Sequence, residues 1–475
     1  MKHLLPLLCC LLLSACAPRE WLLPKLGLNS PSLQEFPPDF QPPVSNETGR
    51  SMPGFGGASD GHARVPLIFI HGNTVSARYW LPDRRYFLGH GWTLDQLWAL
   101  GYGWDNVRYF DGNDLSVDSV EAIVDSVTGY LERQTGKPVA QVDIVAHSLG
   151  VTLVRQWLKQ YNAWHRVRSF IGACGANQGV WTAWMDSRGQ NHVVSHELAP
   201  GSPWLTQLSR GGQTPGPTRY MTLYDGTGHG DELFPAPYQD ASALTGAYNL
   251  AFDREHGTHY NHLELPRQPD TMDAMIEFLN KAPSPAERAS EPVPVRGEGV
   301  VTASQPDTDL HCVEGGDYPS EATAPVASFD IRAPGLYTCY ARNRRTHYAS
   351  PMLRFKQIAG RPAPDTLRIS AEPAGGVFED SLTIKLSSND PDAFIVYTTS
   401  SAPLTSGSPL YQEPIYIAGP VKLRAMAIRP DGSRSQPIEL HYDVSLEKIE
   451  AVHSLQRQFD PDAPELYAGS RKVGR

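Results

Sequence analysis

Ser148 stands between His147 and Leu149, where the apolar run Val142–Ala146 gives way to an apolar helical pattern over 151–161. A serine hydroxyl is a weak nucleophile until a base takes its proton, and it must project clear of the backbone to reach a carbonyl carbon. Small residues two positions to either side, Ala146 and Gly150, leave room for a tight strand-turn-helix elbow that holds Ser148 in a strained conformation. The stretch departs from the G-x-S-x-G pattern by an alanine in place of the first glycine. The weight therefore rests on the flanking strand and helix, which the elbow requires.

Such a serine needs a base and an orienting acid, here expected in the chain order serine, acid, histidine. The strand-like run "RYMTLY" (219–224) leads into "DGTGHGDELFP", which offers Asp225 and Asp231. Asp225 abuts the strand, whereas Asp231 lies on the loop ahead of Leu233, Phe234 and Pro235, which would pin that loop to the core; Asp231 is preferred. Further on, His256, His259 and His262 follow at steps of three. That spacing would suit a metal on a helix face. Gly257 and the turn residues around it argue for a loop, and no acidic or cysteine partner completes a shell, so no metal or cofactor is expected. A structural calcium stays open. His262, just before the last helical pattern, is the expected base, with His259 in reserve. Donors for an oxyanion are expected from the backbone N–H groups of Asn73, in "FIHGNT", and of Leu149, at the start of the elbow helix. His71 is read as a brace for that loop. The chemistry is acyl transfer through a serine ester.

The elements that must position these residues follow from the apolar pattern. "VPLIFI" (65–70), "VRYFD" (107–111), "VDIVA" (142–146), "VRSFIGA" (167–173), "RYMTLY" and "AYNLAF" (247–252) are mostly unbroken apolar runs, the pattern of strands buried on both faces. Between and after them, Val117, Val120, Ile123, Val124, Val127, Tyr130 and Leu131, and later Met272, Met275, Ile276 and Leu279, recur at helical steps. This alternation predicts an α/β domain with a mainly parallel sheet over 64–282. A Pro-rich, charged linker (283–297) follows, then a small β domain (298–358) and a β-sandwich (366–444), with an uninformative tail over 445–475. Tryptophan is abundant in the α/β region, with Trp80, Trp92, Trp98, Trp104, Trp181, Trp184 and Trp204 singled out. They could line an acyl pocket or serve the core.

The motifs "HGN", "AHSLG", "GSPWLTQLSRGGQTPGPTRYMTLYDGTGHGDELF" and "LTGAYNL...HLEL" together resemble the bacterial class 2 lipases, a group with an AHS-x-G elbow to which an extracellular polyhydroxybutyrate depolymerase is related. The resemblance implies an α/β-hydrolase fold, Ser148, Asp231 and His262 as triad, Asn73 and Leu149 as oxyanion donors, and a hydrophobic ester as substrate. The extra residues before Asp231 depart from the family's shorter loop. The stretch from "AEPAGGVFEDSLTIKLSS" to "VKLRAMAI" resembles the C-terminal β-domain of chitobiases and hexosaminidases. Alternatives in the same frame are a polyester depolymerase, a peptidase or amidase with the same triad, and a surface-binding lipoprotein without turnover.

The chain is 475 residues long with a formal net charge of -10 and no basic cluster, so a nucleic-acid partner is not expected. The opening "MKHLLPLLCCLLLSAC" has the basic start, short apolar run and small-residue exit of a secretory signal. Its end, Leu13-Ser14-Ala15-Cys16, resembles the lipobox of bacterial lipoproteins, which implies a lipid anchor on Cys16 and, with Ala17 following, an outer-membrane or cell-surface location. Residues 17–63, rich in Pro, Ser and Gly, are expected to be a tether or a loosely packed lead-in. Cys312 and Cys339 are expected to pair in an oxidising compartment, and Cys174 to be a buried thiol. The oligomeric state is open.

Overall fold

The computed structural model describes residues 33–444, except 46–48, 59–64, 74, 103–115, 181–182, 184–192, 228–229, 235–237, 253–259, 284–293, 297–299, 304, 332 and 359–363. Cys16 and "VRYFD" lie outside the described residues. No described helix is long and apolar enough to cross a membrane.

Eight strands build the main sheet: β1 (Gln34–Glu35), β2 (Gly54–Phe55), β3 (Leu67–Ile70), β4 (Leu97–Leu100), β5 (Val142–His147), β6 (Val167–Ala173), β7 (Arg219–Asp225) and β8 (Tyr248–Phe252). Their order is β1-β2-β4-β3-β5-β6-β7-β8. From β4 to β8 every pairing is parallel; β2 alone runs antiparallel to its neighbour β4. The unbroken apolar runs have a direct cause in the alternation of side chains across a strand. In β3, Leu67 and Phe69 enter one core while Ile68 and Ile70 enter the other. On the first face lie helices α1 (Leu81–Gly89) and, at the end of the domain, the helix Pro269–Asn280, contributing Phe87, Met275 and Leu279. On the second lie α2 (Val117–Thr135) and α3 (Leu149–Gln160), contributing Val120, Val124, Val151 and Trp157. α2 and α3 are joined by the Trp157 indole N–H, which donates to Glu121 at 2.7 Å. The architecture is an α/β-hydrolase-type layering, as expected.

Two readings need correction. The sheet contains Leu97–Leu100, a four-residue strand that lacks the length to stand out beside a helical turn. The stretch 17–63 is not a tether throughout. Its strands β1 and β2 extend the sheet, and Met52 and Phe55 are almost fully buried. Proline- and glycine-rich composition hides such anchors because each is only one or two apolar residues long.

The C-terminal region holds small sheets. Thr308–Glu314, Gly335–Asn343 and Leu353–Gln357 pair antiparallel, with Cys312 directly opposite Cys339 and disulfide-bonded to it. The last residues of the expected linker, Pro294–Arg296, pair with Val300–Ala303. Beyond, two sheets close over Ile384, Leu386, Leu423, Ala425 and Tyr442 as a sandwich.

Replacing Phe55, 0% exposed and capped by the Arg84 guanidinium at 4.6 Å, with alanine should destabilise the protein by about 3–5 kcal/mol in urea unfolding. A change below about 0.5 kcal/mol would return the segment to the status of a tether.

Candidate active site

β5 ends in His147 and α3 begins at Leu149, leaving Ser148 alone to make the turn. It does so with φ 55° and ψ -125°, a backbone conformation that side chains rarely adopt. Two glycines make the turn possible. A Cβ on Gly150 would come within 2.5 Å of the His71 carbonyl, and one on Gly72 within 2.8 Å of the Ser148 Cβ. The end of β3 therefore passes directly beside the nucleophile's backbone. Ala146, fully buried and paired with Ile70 on one side and Gly172 on the other, supplies the small neighbour on the strand side.

The loop after β7 carries Asp231 and the loop after β8 carries His262, and these meet at Ser148. The Ser148 hydroxyl donates to His262 Nε2 at 2.9 Å, and His262 Nδ1 donates to Asp231 Oδ2 at 3.0 Å. Asp231 Oδ1 accepts from the N–H groups of Leu233 and Phe234 at 2.8 and 2.9 Å. Burial pushes the Asp231 carboxyl up, but the His262 charge and hydrogen bond and the two backbone donors outweigh it, so the net displacement is downward. Phe234 is buried and packs near the His262 ring, as the loop-pinning expectation required. Asp225 has other work: it accepts from Thr227 N–H at 2.7 Å and Tyr260 N–H at 3.0 Å, tying the two loops together. His256 and His259 lie outside the described residues.

Several residues around this trio carry no sequence signal that singled them out. His147 donates from Nε2 to the His262 carbonyl at 2.9 Å, and Tyr79 donates to the Leu263 carbonyl at 3.0 Å. Glu232 accepts from the His262 N–H at 2.8 Å. His147 is fully buried between the rings of Tyr79 and His262, and burial, reinforced by the His262 charge, holds it well below the ordinary histidine range, hence neutral. Cys174, expected to be a buried thiol, is fully buried, and burial with the nearby Asp231, Asp225 and Glu232 carboxylates pushes it well above its ordinary range. The available signal was its place, directly after β6, the strand beside the nucleophile's own.

His71 fits its reading as a brace. Its ring stacks on Tyr102 with centroids 4.2 Å apart, and the Tyr102 hydroxyl donates to its carbonyl at 2.7 Å. Asn73 follows Gly72 at this same crossing. Leu149, first in its helix, has an N–H with no acceptor in a preceding helical turn. Among the described residues, His147, Cys174 and His262 bring ligand atoms within 4.8 Å of one another, a nitrogen and sulfur set of the kind zinc accepts. Both ring nitrogens of His262 are already engaged, by Ser148 and Asp231. Of the tryptophans, Trp80, Trp92, Trp98 and Trp204 belong to the buried cores. Trp104, Trp181 and Trp184 lie outside the described residues.

No curated protein matches the chain. Among solved structures it is similar to the Bacillus licheniformis lipase BlEst2 in mature form, with 17% identity, 46% of this chain and 92% of that chain covered, and a TM-score of 0.35. It is also similar to Aspergillus fumigatus lipase B (14% identity, 55% and 65% covered, TM-score 0.38) and to a thermophilic esterase from Thermogutta terrifontis (12%, 50% and 97%, TM-score 0.31). Residues 373–439 match the chitobiase/beta-hexosaminidase C-terminal domain model. Residues 64–218 match the lipase (class 2) model, a span that includes Asn73 and Ser148 but ends before Asp231 and His262, and this similarity supports an ester hydrolase.

Proposed function

We propose that the chain is a serine carboxylic ester hydrolase acting on hydrophobic esters, with Ser148 as nucleophile, His262 as base and Asp231 as orienting acid. The observation that carries this reading is the continuous hydrogen-bond chain from Ser148 through His262 to Asp231, mounted on an elbow with positive φ. His262 takes the Ser148 proton as the oxygen attacks the ester carbonyl, and the resulting imidazolium is stabilised by Asp231. The negative charge on the carbonyl oxygen is held by the N–H groups of Asn73 and Leu149. His262 then returns the proton to the leaving alcohol. Water, activated by the same histidine, releases the acid. A triacylglycerol lipase-like activity is the finer form of the proposal, and the class 2 lipase match over 64–218 supports it. The lipobox pattern supports lipid attachment at Cys16 and a location at the bacterial outer membrane or cell surface.

Initial rates on p-nitrophenyl esters from acetate to palmitate are the first test. Ser148→Ala should lower kcat by at least about 1,000-fold at every chain length, and wild-type rates should rise toward long chains. Equal rates for the two proteins would end the nucleophile assignment, and activity confined to acetate and butyrate would replace the lipase form with a short-chain esterase.

Asp231→Asn should cost about 10,000-fold in kcat by presenting His262 in the wrong tautomer, while Asp225→Asn keeps turnover within about tenfold. Because the Asp231 carboxyl lies below its unfolded value of about 3.9, its contribution to stability is complete above that value and fades as pH falls through the lower folded one. Urea unfolding between pH 6 and 2.5 should show this loss in wild type and its absence in Asp231→Asn. Parallel curves for the two proteins would contradict it.

A further inference from the structure

The support beneath His262 ends in a buried acid. Asp83, in the first turn of α1, is 0% exposed, and neither of its carboxyl oxygens has a hydrogen-bond partner among the described residues. An ionised carboxyl there is costly, because nothing takes the place of the water it has lost. The turn Ala77–Trp80, directly before α1, carries Tyr79, which feels the charge of Asp83 and also holds the loop of His262. The Tyr79 hydroxyl donates to the Leu263 carbonyl at 3.0 Å, and its ring stacks on His147 with centroids 4.8 Å apart. Arg267, at the end of the turn Leu265–Arg267 that follows His262, grips Tyr79 from two sides. Its Nε and Nη2 donate to the Tyr79 carbonyl at 3.2 and 2.8 Å, and its guanidinium carbon lies 4.4 Å from the centroid of the Tyr79 ring.

The other charges near α1 are spoken for. On the helix itself Arg84 pairs with Glu35, and the last helix, which packs on α1, carries Asp273 and Asp270, bonded to the Tyr86 and Tyr260 hydroxyls. Arg267 is the one charged side chain whose field acts on Asp83 among the described residues, and it does not prevail. Burial pushes the Asp83 carboxyl up to about 8, against the pull of Arg267 and of its own backbone N–H. Tyr79 rises well above its ordinary range, first by burial and then by the Asp83 charge, and His147 is held neutral, so neither exchanges a proton in the same interval. With both Arg267 donors on Tyr79 and none on Asp83, the arrangement is that of a neutral acid.

We propose that Asp83 and Arg267 are positioning residues for His262, the proton on Asp83 leaving Arg267 free to hold Tyr79 and, through it, the loop that aligns the base with Ser148. When Asp83 gives this proton to the solvent, its carboxylate competes for the Arg267 fork. Tyr79 then loses its two-point hold, and the carbonyl at 263 loses a fixed donor. Small displacements of a reacting group cost turnover steeply. The inference rests on the ester-hydrolase reading, since it takes His262 as base. Its signature is a loss of turnover on the alkaline side, where a deprotonated base alone would hold level.

The test is kcat and KM for p-nitrophenyl butyrate from about pH 6.5 to 9.5, with Ser148→Ala as blank, in wild type, Asp83→Asn, Asp83→Ala and Arg267→Lys. Wild-type kcat should fall about tenfold between about pH 7.5 and 9.5 with KM steady, while both Asp83 variants run level over that interval. Arg267→Lys keeps the charge but not the two-point grip, so its kcat should lie about tenfold lower already near pH 7. Urea midpoints give a readout that does not depend on turnover. The folded protein keeps the Asp83 proton after the unfolded chain, at about 3.9, has released it, so this group lowers stability progressively from there up to about 8. The midpoint gap between each Asp83 variant and wild type should therefore widen in favour of the variant across that window and stay constant above it. Parallel midpoint curves, or the same alkaline fall in wild type and both Asp83 variants, would overturn the proposal. A level wild-type profile with turnover that depends on Ser148 would overturn the proposal alone, whereas turnover that does not depend on Ser148 would overturn the ester-hydrolase reading and the proposal with it.

Discussion

The site depends on one backbone constraint, the positive φ of Ser148. A residue with a side chain does not hold φ 55° unless its surroundings leave no alternative. Here the alternatives are removed from three sides. β5 fixes the residue before, α3 fixes the residue after, and the His71–Gly72 crossing closes the space above. The glycines at 72 and 150 are the complement of that strain: each stands where a single carbon would collide with the turn. The elbow is thus a property of three chain segments packed together, and the serine's exposure to a substrate follows from the packing.

The histidine faces the opposite problem. It sits on a loop, and a loop has no ladder of its own to set a ring to within a hydrogen bond of its target. The fold supplies the ladder through side chains. His147 and Tyr79 donate to consecutive carbonyls at 262 and 263, Glu232 accepts the N–H of His262, and Asp225 accepts that of Tyr260. Three buried side chains and the exposed Glu232 therefore do for the His262 loop what the sheet does for Ser148. His147 is the closest link between the two. It is the last residue of β5, adjacent to Ser148, so the strand that positions Ser148 also positions the backbone of His262.

This division explains which parts were legible in the sequence. The sheet and its main helices were, because burial on both faces imposes continuous apolar runs and period-3.6 stripes. Ser148, Asp231 and His262 were legible as candidates because Ser148 directly follows such a run and the other two lie on the loops that leave the next ones, where open sheets of this kind gather their functional groups. The choice of Asp231 over Asp225 rested on Leu233, Phe234 and Pro235 pinning the loop to the core; Phe234 is buried, and the backbone N–H groups of Leu233 and Phe234, which any residue types would supply, bind the carboxylate. The support of the His262 segment by Tyr79 and His147 was not legible, since contacts at a sequence separation of more than a hundred residues leave no periodicity. The anchoring of Met52 and Phe55 was hidden for a related reason, being apolar points within a stretch whose composition signals a linker.

The same helix that begins beside Ser148 ends at the junction with the β regions, and Gln160 at its end and Asn162 just beyond it grip them. The Gln160 amide both donates to Thr399 Oγ1 and accepts from the Thr399 N–H, at 3.1 Å each. The Asn162 amide does the same with Met352, donating to its carbonyl at 2.9 Å and accepting from its N–H at 3.1 Å. The Asn162 amide thereby imitates a strand neighbour, satisfying a backbone donor and a backbone acceptor of Met352 at once, while Gln160 meets the Thr399 N–H and its hydroxyl. One amide holds the sandwich and the other the disulfide-bonded sheet. Two-point contacts resist rotation as well as separation, so the β regions are fixed in orientation relative to α3. With about 18 Å of regular helix between these contacts and Ser148, a displacement of either β region loads the element that supports the elbow, and the appended regions are mechanically part of the site's foundation.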